Sequence, residues 1–299
     1  MRKSWKLLFS TLIALLVAVV VAGCGVNSES SGSEGEVGPT PSRIISLSPS
    51  ATESLWAVGA GDQVVAVDDQ SNYPAGVPTT ELSGFTPNVE AILGHSPDLV
   101  IAMDAPDDLA SSLQAAGVEL LQLSAPATLD DAYAQIEQIG GATGHIAEAV
   151  ELVKNMQTEI AAAVASVPAA ETPLTYFHEL DDTLYTVTSA SFLGQVYGLF
   201  GLDNIADAVG AGNPYPQLQS EYVVSANPSV IFLADAQCCS VTAETVGARA
   251  GWAEVAAVKD GRIYALDADI ASRWGPRIVD MVESLAQIMQ SSPAPQPVR

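Results

Sequence analysis

The sequence predicts an α/β protein of two similar α/β lobes with mainly parallel sheets, joined by one long helix, with a ligand cleft between the lobes. Three observations carry this. Short apolar runs alternate with helical periods from residue 43 onward, the pattern of parallel strands covered on both faces. One segment, 145–167, keeps a helical period far longer than its neighbours. The stretch before that segment is echoed by the stretch after it.

The first lobe spans 42–143 and opens on a strand at 43–47. Ser48-Pro49-Ser50-Ala51-Thr52-Glu53 then starts a helix. Ser50 and Glu53 have the spacing of a capping box, in which each side chain satisfies a free backbone donor at the helix start. Gly59 ends that helix. Strands are expected at 64–67, 99–103 and 118–123, with helices at 106–116, stopped by Gly117, and at 129–139. The connecting segment is 144–168. Ile146, Val150, Val153, Ile160, Val164 and Val167 recur along it near helical spacing, Thr143 is placed to cap it and Pro168 to stop it. Over 145–167 such a helix spans about 34 Å at 1.5 Å per residue, which suits a rod between two lobes. The second lobe, 169–293, reads as a strand at 174–179, a helix at 192–200 closed by Gly201, and a strand at 230–233. A short helix at 252–257, a turn at Lys259-Asp260-Gly261, a strand at 262–266 and a last helix at 276–289 complete it, and 294–299 is a tail.

The echo is specific in its spacing. Residues 89–101 and 220–232 each read as a short helix, a turn and a buried-type strand, with Glu90 seven residues before Pro97 and Glu221 seven before Pro228. In open α/β sheets a ligand lies outside the carboxyl ends of the strands, here between the lobes.

The amino terminus reads as an export signal over 1–23. Arg2, Lys3 and Lys6 precede an apolar run at 7–22, short for a spanning helix. The run ends in Val21-Ala22-Gly23-Cys24, which resembles a bacterial lipobox and implies cleavage before Cys24 with a lipid on its thiol; the alternative is a retained amino-terminal anchor. Either places the domain outside the cell membrane. Residues 24–41 are the tether: 27–41 is nearly all Ser, Gly, Glu, Pro and Thr and buries too little apolar surface to order itself. As a coil it reaches roughly 20 Å.

Charge excludes a class of partner. Once 1–23 is removed, 35 acidic residues face 8 basic ones, a net of −27. Such a surface repels phosphate backbones, so no nucleic-acid partner is expected. Catalysis is not expected either. The chain has three histidines, His95, His145 and His178, and no Gly-x-Ser-x-Gly elbow. A zinc site gathers several clustered ligands, and no such cluster stands in the sequence, so no resident metal and no cofactor are expected. The adjacent pair Cys238-Cys239 is either two loop thiols or a vicinal disulfide at the mouth of a site.

In order and spacing, residues 42–292 resemble the helical-backbone substrate-binding proteins of ABC importers, of the subfamily that carries vitamin B12, ferric siderophores and haem. The resemblance rests on 43–53, Tyr73-Pro74, 87–92, 97–100, 201–205, Glu221, Pro228 and Trp274-Gly275-Pro276-Arg277. It implies a monomeric lipoprotein that captures an iron(III)-siderophore or a corrinoid and delivers it to a permease dimer with its ATPase subunits. Haem or free zinc or manganese is the alternative cargo, and a surface lipoprotein without transport the remaining alternative. It implies that Glu90 and Glu221 dock onto the two permease subunits, and that the long helix keeps lobe closure small. It also places ligand-facing groups at Tyr215, Arg273 and Trp274, with Phe85, Tyr73 and Tyr185 as further candidates. Arg273 has a second reading, as an intramolecular ion pair. His178, at the end of a strand, is the one histidine with a possible place at the cleft. Gly84 and Gln70 stand where cobalamin binders of this family often carry aromatic residues.

Overall fold

Four-residue runs without a charge, Ile44–Leu47 (β1) and Val230–Leu233 (β7), are wholly buried and form the centres of two sheets. The structure, a computed structural model, describes residues 40–169 and 172–291. The expected signal, Cys24, the tether as far as residue 39 and the tail lie outside them. Among the described residues no helix is long and apolar enough to cross a membrane.

In the first sheet β1 lies between β2 (Val64–Val67) and β3 (Leu99–Met103), and β4 (Glu119–Leu123) follows β3, in the order β2-β1-β3-β4. The second sheet joins β5 (Thr175–Glu179), β6 (Asp203–Asn204), β7 and β8 (Ile263–Ala265) in the order β6-β5-β7-β8. All neighbours are parallel. Each sheet therefore runs second, first, third, fourth, and the two halves repeat one topology. The two-residue β6 gives no apolar run and is not legible in the sequence.

The helices of the first half are α1 (Pro49–Ala57), α2 (Val89–Gly94), α3 (Asp107–Ala115) and α4 (Leu129–Thr143). The connecting helix is α5 (Ile146–Ala165), whose 20 residues span about 30 Å. The second half carries α6 (Phe192–Gly198), α7 (Ser220–Ala226), α8 (Ala236–Cys239), α9 (Ala243–Gly247), α10 (Ala256–Lys259), α11 (Ala268–Ala271) and α12 (Ile278–Ser291).

Three local expectations are corrected. Ser48, not Ser50, caps α1, accepting from Ala51 N with Pro49 in the first turn, and Glu53 faces the interior instead of closing a capping box. Thr143 belongs to the last turn of α4, where its hydroxyl donates to Ile139 O; Gly144, at φ 80°, turns the chain before α5. The buried stripe of α5 is also shifted. It consists of Ala149, Val153, Met156 and Ile160, whereas Ile146 and Val150 are exposed.

α5 packs on α4 and α12. Through them one apolar cluster runs from Ile44 and Leu99 in the first sheet to Tyr176 and Phe232 in the second. The halves thus share a core and are not joined by a bare rod. The repeated turns match in detail. Ser96 and Asn227 both adopt φ 51°, each directly before its proline. Asp98 N donates to Arg43 O at 3.0 Å and Ser229 N to Thr175 O at 2.9 Å, holding the two turns alike.

Candidate functional site

Parallel strands end on the same side of a sheet, so the loops leaving them gather there. In the first half these loops line a cavity of about 550 Å³: Leu47 ends β1, Asp68 follows β2, and Met103 and Asp104 leave β3. In the second half Leu180 after β5 and Ala234 after β7, with Phe192 and Leu193 of α6, line a neighbouring cavity of about 390 Å³. Asp269, Ser272, Arg273 and Trp274 line both, so the segment from α11 to α12 is their shared floor.

The floor is tied to the first half by charge. Arg273 is buried, and its Nη1 donates to Glu53 Oε1 at 3.0 Å and Asn72 Oδ1 at 2.8 Å. Its Nη2 reaches Gln70 O at 3.2 Å and Asp269 Oδ1 at 3.0 Å. Arg277 adds a second guanidinium on Glu53 Oε1, which raises the Arg277 pKa, and it stacks over the Tyr73 ring at 4.2 Å. The structure therefore shows Arg273 as an ion pair within the protein while its side chain still borders the cleft. Trp274 lies beside it, edge-on to Phe192 at 6.4 Å, with its backbone N donating to Ser50 Oγ at 3.2 Å. The Trp274 Nε1–H is buried and has no partner among the described residues.

The remaining expected ligand-facing residues divide. Phe85, 88% exposed, lines the larger cavity and Tyr215, 48% exposed, the smaller. Each ring is held out by a stiff local turn: Ser83 Oγ accepts from Phe85 N, and Asn213 Oδ1 from Tyr215 N with Pro214 and Pro216 on either side. Tyr73 and Tyr185 are exposed but line neither cavity; Tyr73 is used by Arg277, and Tyr185 bridges to Gln217.

His178 is corrected. It has no exposed surface, its Nδ1 lies 2.8 Å from Tyr197 Oη, and burial lowers its pKa to about 4. It is a neutral core residue. Gly84 has a steric reason: a Cβ there would meet Leu47 O at 2.4 Å, so no aromatic fits this backbone.

Asp68 was not singled out in the sequence, and no local pattern marks it. It is 2% exposed at the cavity wall, and its Oδ1 meets no donor among the described residues. Burial raises its pKa, against which hydrogen bonds from Ser71 pull down. Cys238 and Cys239 form a vicinal disulfide on exposed α8. That helix touches the floor segment through Gln237 Oε1, which accepts from Ala268 N at 3.2 Å. Among the described residues no group of three or more His, Cys, Asp or Glu is arranged to hold a metal ion.

Glu90 and Glu221 lie away from both cavities. Each is exposed, and each is the second residue of its helix, α2 or α7, immediately before the third strand of its sheet.

Comparison with known proteins agrees with this architecture. An uncharacterized ABC transporter substrate-binding lipoprotein of Bacillus subtilis is 33% identical over 302 residues, covering 91% of this chain and 94% of the relative. A vitamin B12-binding protein of Vibrio cholerae is 33% identical over 264 residues, covering 83% of this chain and 89% of its own length. Among solved structures, a possible iron-binding periplasmic protein of Staphylococcus epidermidis superposes with a TM-score of 0.74 at 26% identity, over 84% of this chain and 99% of that one. The periplasmic binding protein family model matches residues 44–270, and with two like-ordered parallel sheets opening onto one cleft the chain belongs to that family.

Proposed function

We propose that the chain is the substrate-binding component of an ABC importer, capturing a corrinoid or ferric siderophore outside the membrane and delivering it to the permease. The observation that carries this is the cleft itself: a cavity at the strand ends of each half, a shared floor, and one displayed ring on each side, Phe85 and Tyr215. Rings so placed cover the apolar faces of a bulky chelate, while polar groups fix its orientation. The relatives named for B12 and for a lipoprotein, and the neighbour named for iron, support the cargo class and the lipid anchor at Cys24. The metal arrives inside the cargo; no resident cofactor and no bond-making step are assigned. Glu90 and Glu221 serve the permease.

Trp274 on the floor is the reporter. Tryptophan fluorescence of the protein from residue 25 onward, titrated with cyanocobalamin, ferric siderophores, haemin, zinc and manganese, should show saturable quenching by a corrinoid or ferric siderophore. A response confined to a bare metal ion makes the protein a metal carrier instead. Silence across the panel defeats the proposal.

A further inference from the structure

Cations are scarce in the mature chain, 8 against 35 acidic residues. Among the described residues, Arg273 is the one cation that lines either cavity. Its guanidinium is already taken by Glu53, Asp269, Asn72 and Gln70 O. Arg277 shares Glu53. Two arginines thus face two carboxylates, and this network is neutral as a whole.

Asp68 and Asp104 stand outside the network and line the larger cavity. Asp104 is exposed. Asp68 is more than nine-tenths buried, and among the described residues its Oδ1 has no donor. A buried acceptor left without a donor costs on the order of 1–3 kcal/mol, more when charged. A ligand that brings an N–H to the Asp68 carboxylate or to Asp104 gains a charge-assisted hydrogen bond; a ligand that brings a carboxylate or catecholate adds a like charge, and among the described residues the one cation lining either cavity is already ion-paired. The charge of the whole chain acts in the same sense at longer range.

We propose that the cleft selects a neutral or cationic metal chelate carrying amide or ammonium N–H donors, with Asp68 as their acceptor, and rejects anionic chelates. This rests on the carrier function proposed above. Corrinoids with their side-chain amides, and hydroxamate siderophores with a free ammonium, meet the requirement. Haem, with two propionates, and iron tris-catecholates do not.

The test uses matched pairs in the fluorescence titration. One pair is cyanocobalamin and the monocarboxylate made by hydrolysing one side-chain amide. The other is ferrioxamine B and its N-succinyl derivative, in which a carboxylate replaces the ammonium. Whichever scaffold binds, the amide or ammonium form should bind at least about tenfold more tightly. Asp68→Asn should narrow that gap, and Asp104→Asn, at an exposed position, should narrow it too. Equal or tighter binding of the carboxylate form overturns the inference, as does a gap unchanged in both variants. Tightest binding of haemin or an iron tris-catecholate overturns it while leaving the carrier function standing. Silence from every chelate removes that function and the inference with it.

Discussion

His178 shows how burial turns one side chain into a pH-dependent element of stability. Its ring is enclosed by neutral aromatic groups, Tyr197 at 5.7 Å between ring centroids and the Tyr176 and Phe232 rings packed on Tyr197. With no charge to stabilise an imidazolium, burial brings the pKa from 6.5 down to about 4. Between those values the unfolded chain binds the proton and the folded one does not. Stability therefore falls as pH drops from 6.5 to 4 and is unaffected by this group above 6.5. The shift corresponds to about 3 kcal/mol. The buried carboxylates Asp68, Glu179 and Asp235, whose pKa values are raised by burial, act in the opposite sense. A comparison of proteins is therefore needed to isolate the histidine. Asparagine keeps a partner for Tyr197 but does not titrate. Urea unfolding of wild type should lose about 3 kcal/mol more than His178→Asn between pH 7 and pH 4; parallel profiles would show that His178 does not titrate this way. The placement of His178 was not legible in the sequence for a physical reason. In a central parallel strand both faces are buried, so the apolar run carries no parity to say which face a given side chain takes.

At the scale of elements, the alternation of strands and helices was legible because it is local. Period and breakers lie within a few residues of each other, and β1, β3, β5, β7 and α5 fall where those signals put them. The join between elements was not. Glu53 sits three residues after Ser50, and that spacing alone suggests a cap. Its actual partners are 220 and 224 residues away. Through them α1 grips the segment ahead of α12, which is also the cleft floor. Ser50 takes part by accepting from Trp274 N. Removal of one member of a buried ion-pair network strands the others. Glu53→Ala leaves Arg277 without its carboxylate and Arg273 with Asp269 alone, and should cost about 3–5 kcal/mol. Urea unfolding at neutral pH measures this, and a loss below about 1 kcal/mol, the range of surface pairs, would mean the network holds nothing together.

The described residues form a pseudo-symmetric pair of lobes on a common core. The order of strands, the left-handed residue before each proline and the backbone bonds at each turn recur in both halves. The core that runs through α4, α5 and α12 is shared by both lobes. The same repeat sets Glu90 and Glu221 in equivalent positions, which suits a permease whose two subunits are related by a two-fold axis. Neither residue lines either of the two cavities and each is exposed, so the docking proposed for them is separable from cargo binding. In the docking proposed above, a charge-assisted hydrogen bond from a permease arginine to each carboxylate would be worth about 1.5–3 kcal/mol. The double variant Glu90→Ala with Glu221→Ala should keep cargo affinity within about twofold and lower uptake by at least about tenfold, each single variant falling between. Uptake in cells or proteoliposomes carrying the cognate permease, read beside the fluorescence titration, distinguishes the outcomes. Normal uptake by the double variant would free both carboxylates from docking, whereas a parallel loss of cargo affinity would place them in the fold or the cleft, where the structure does not put them.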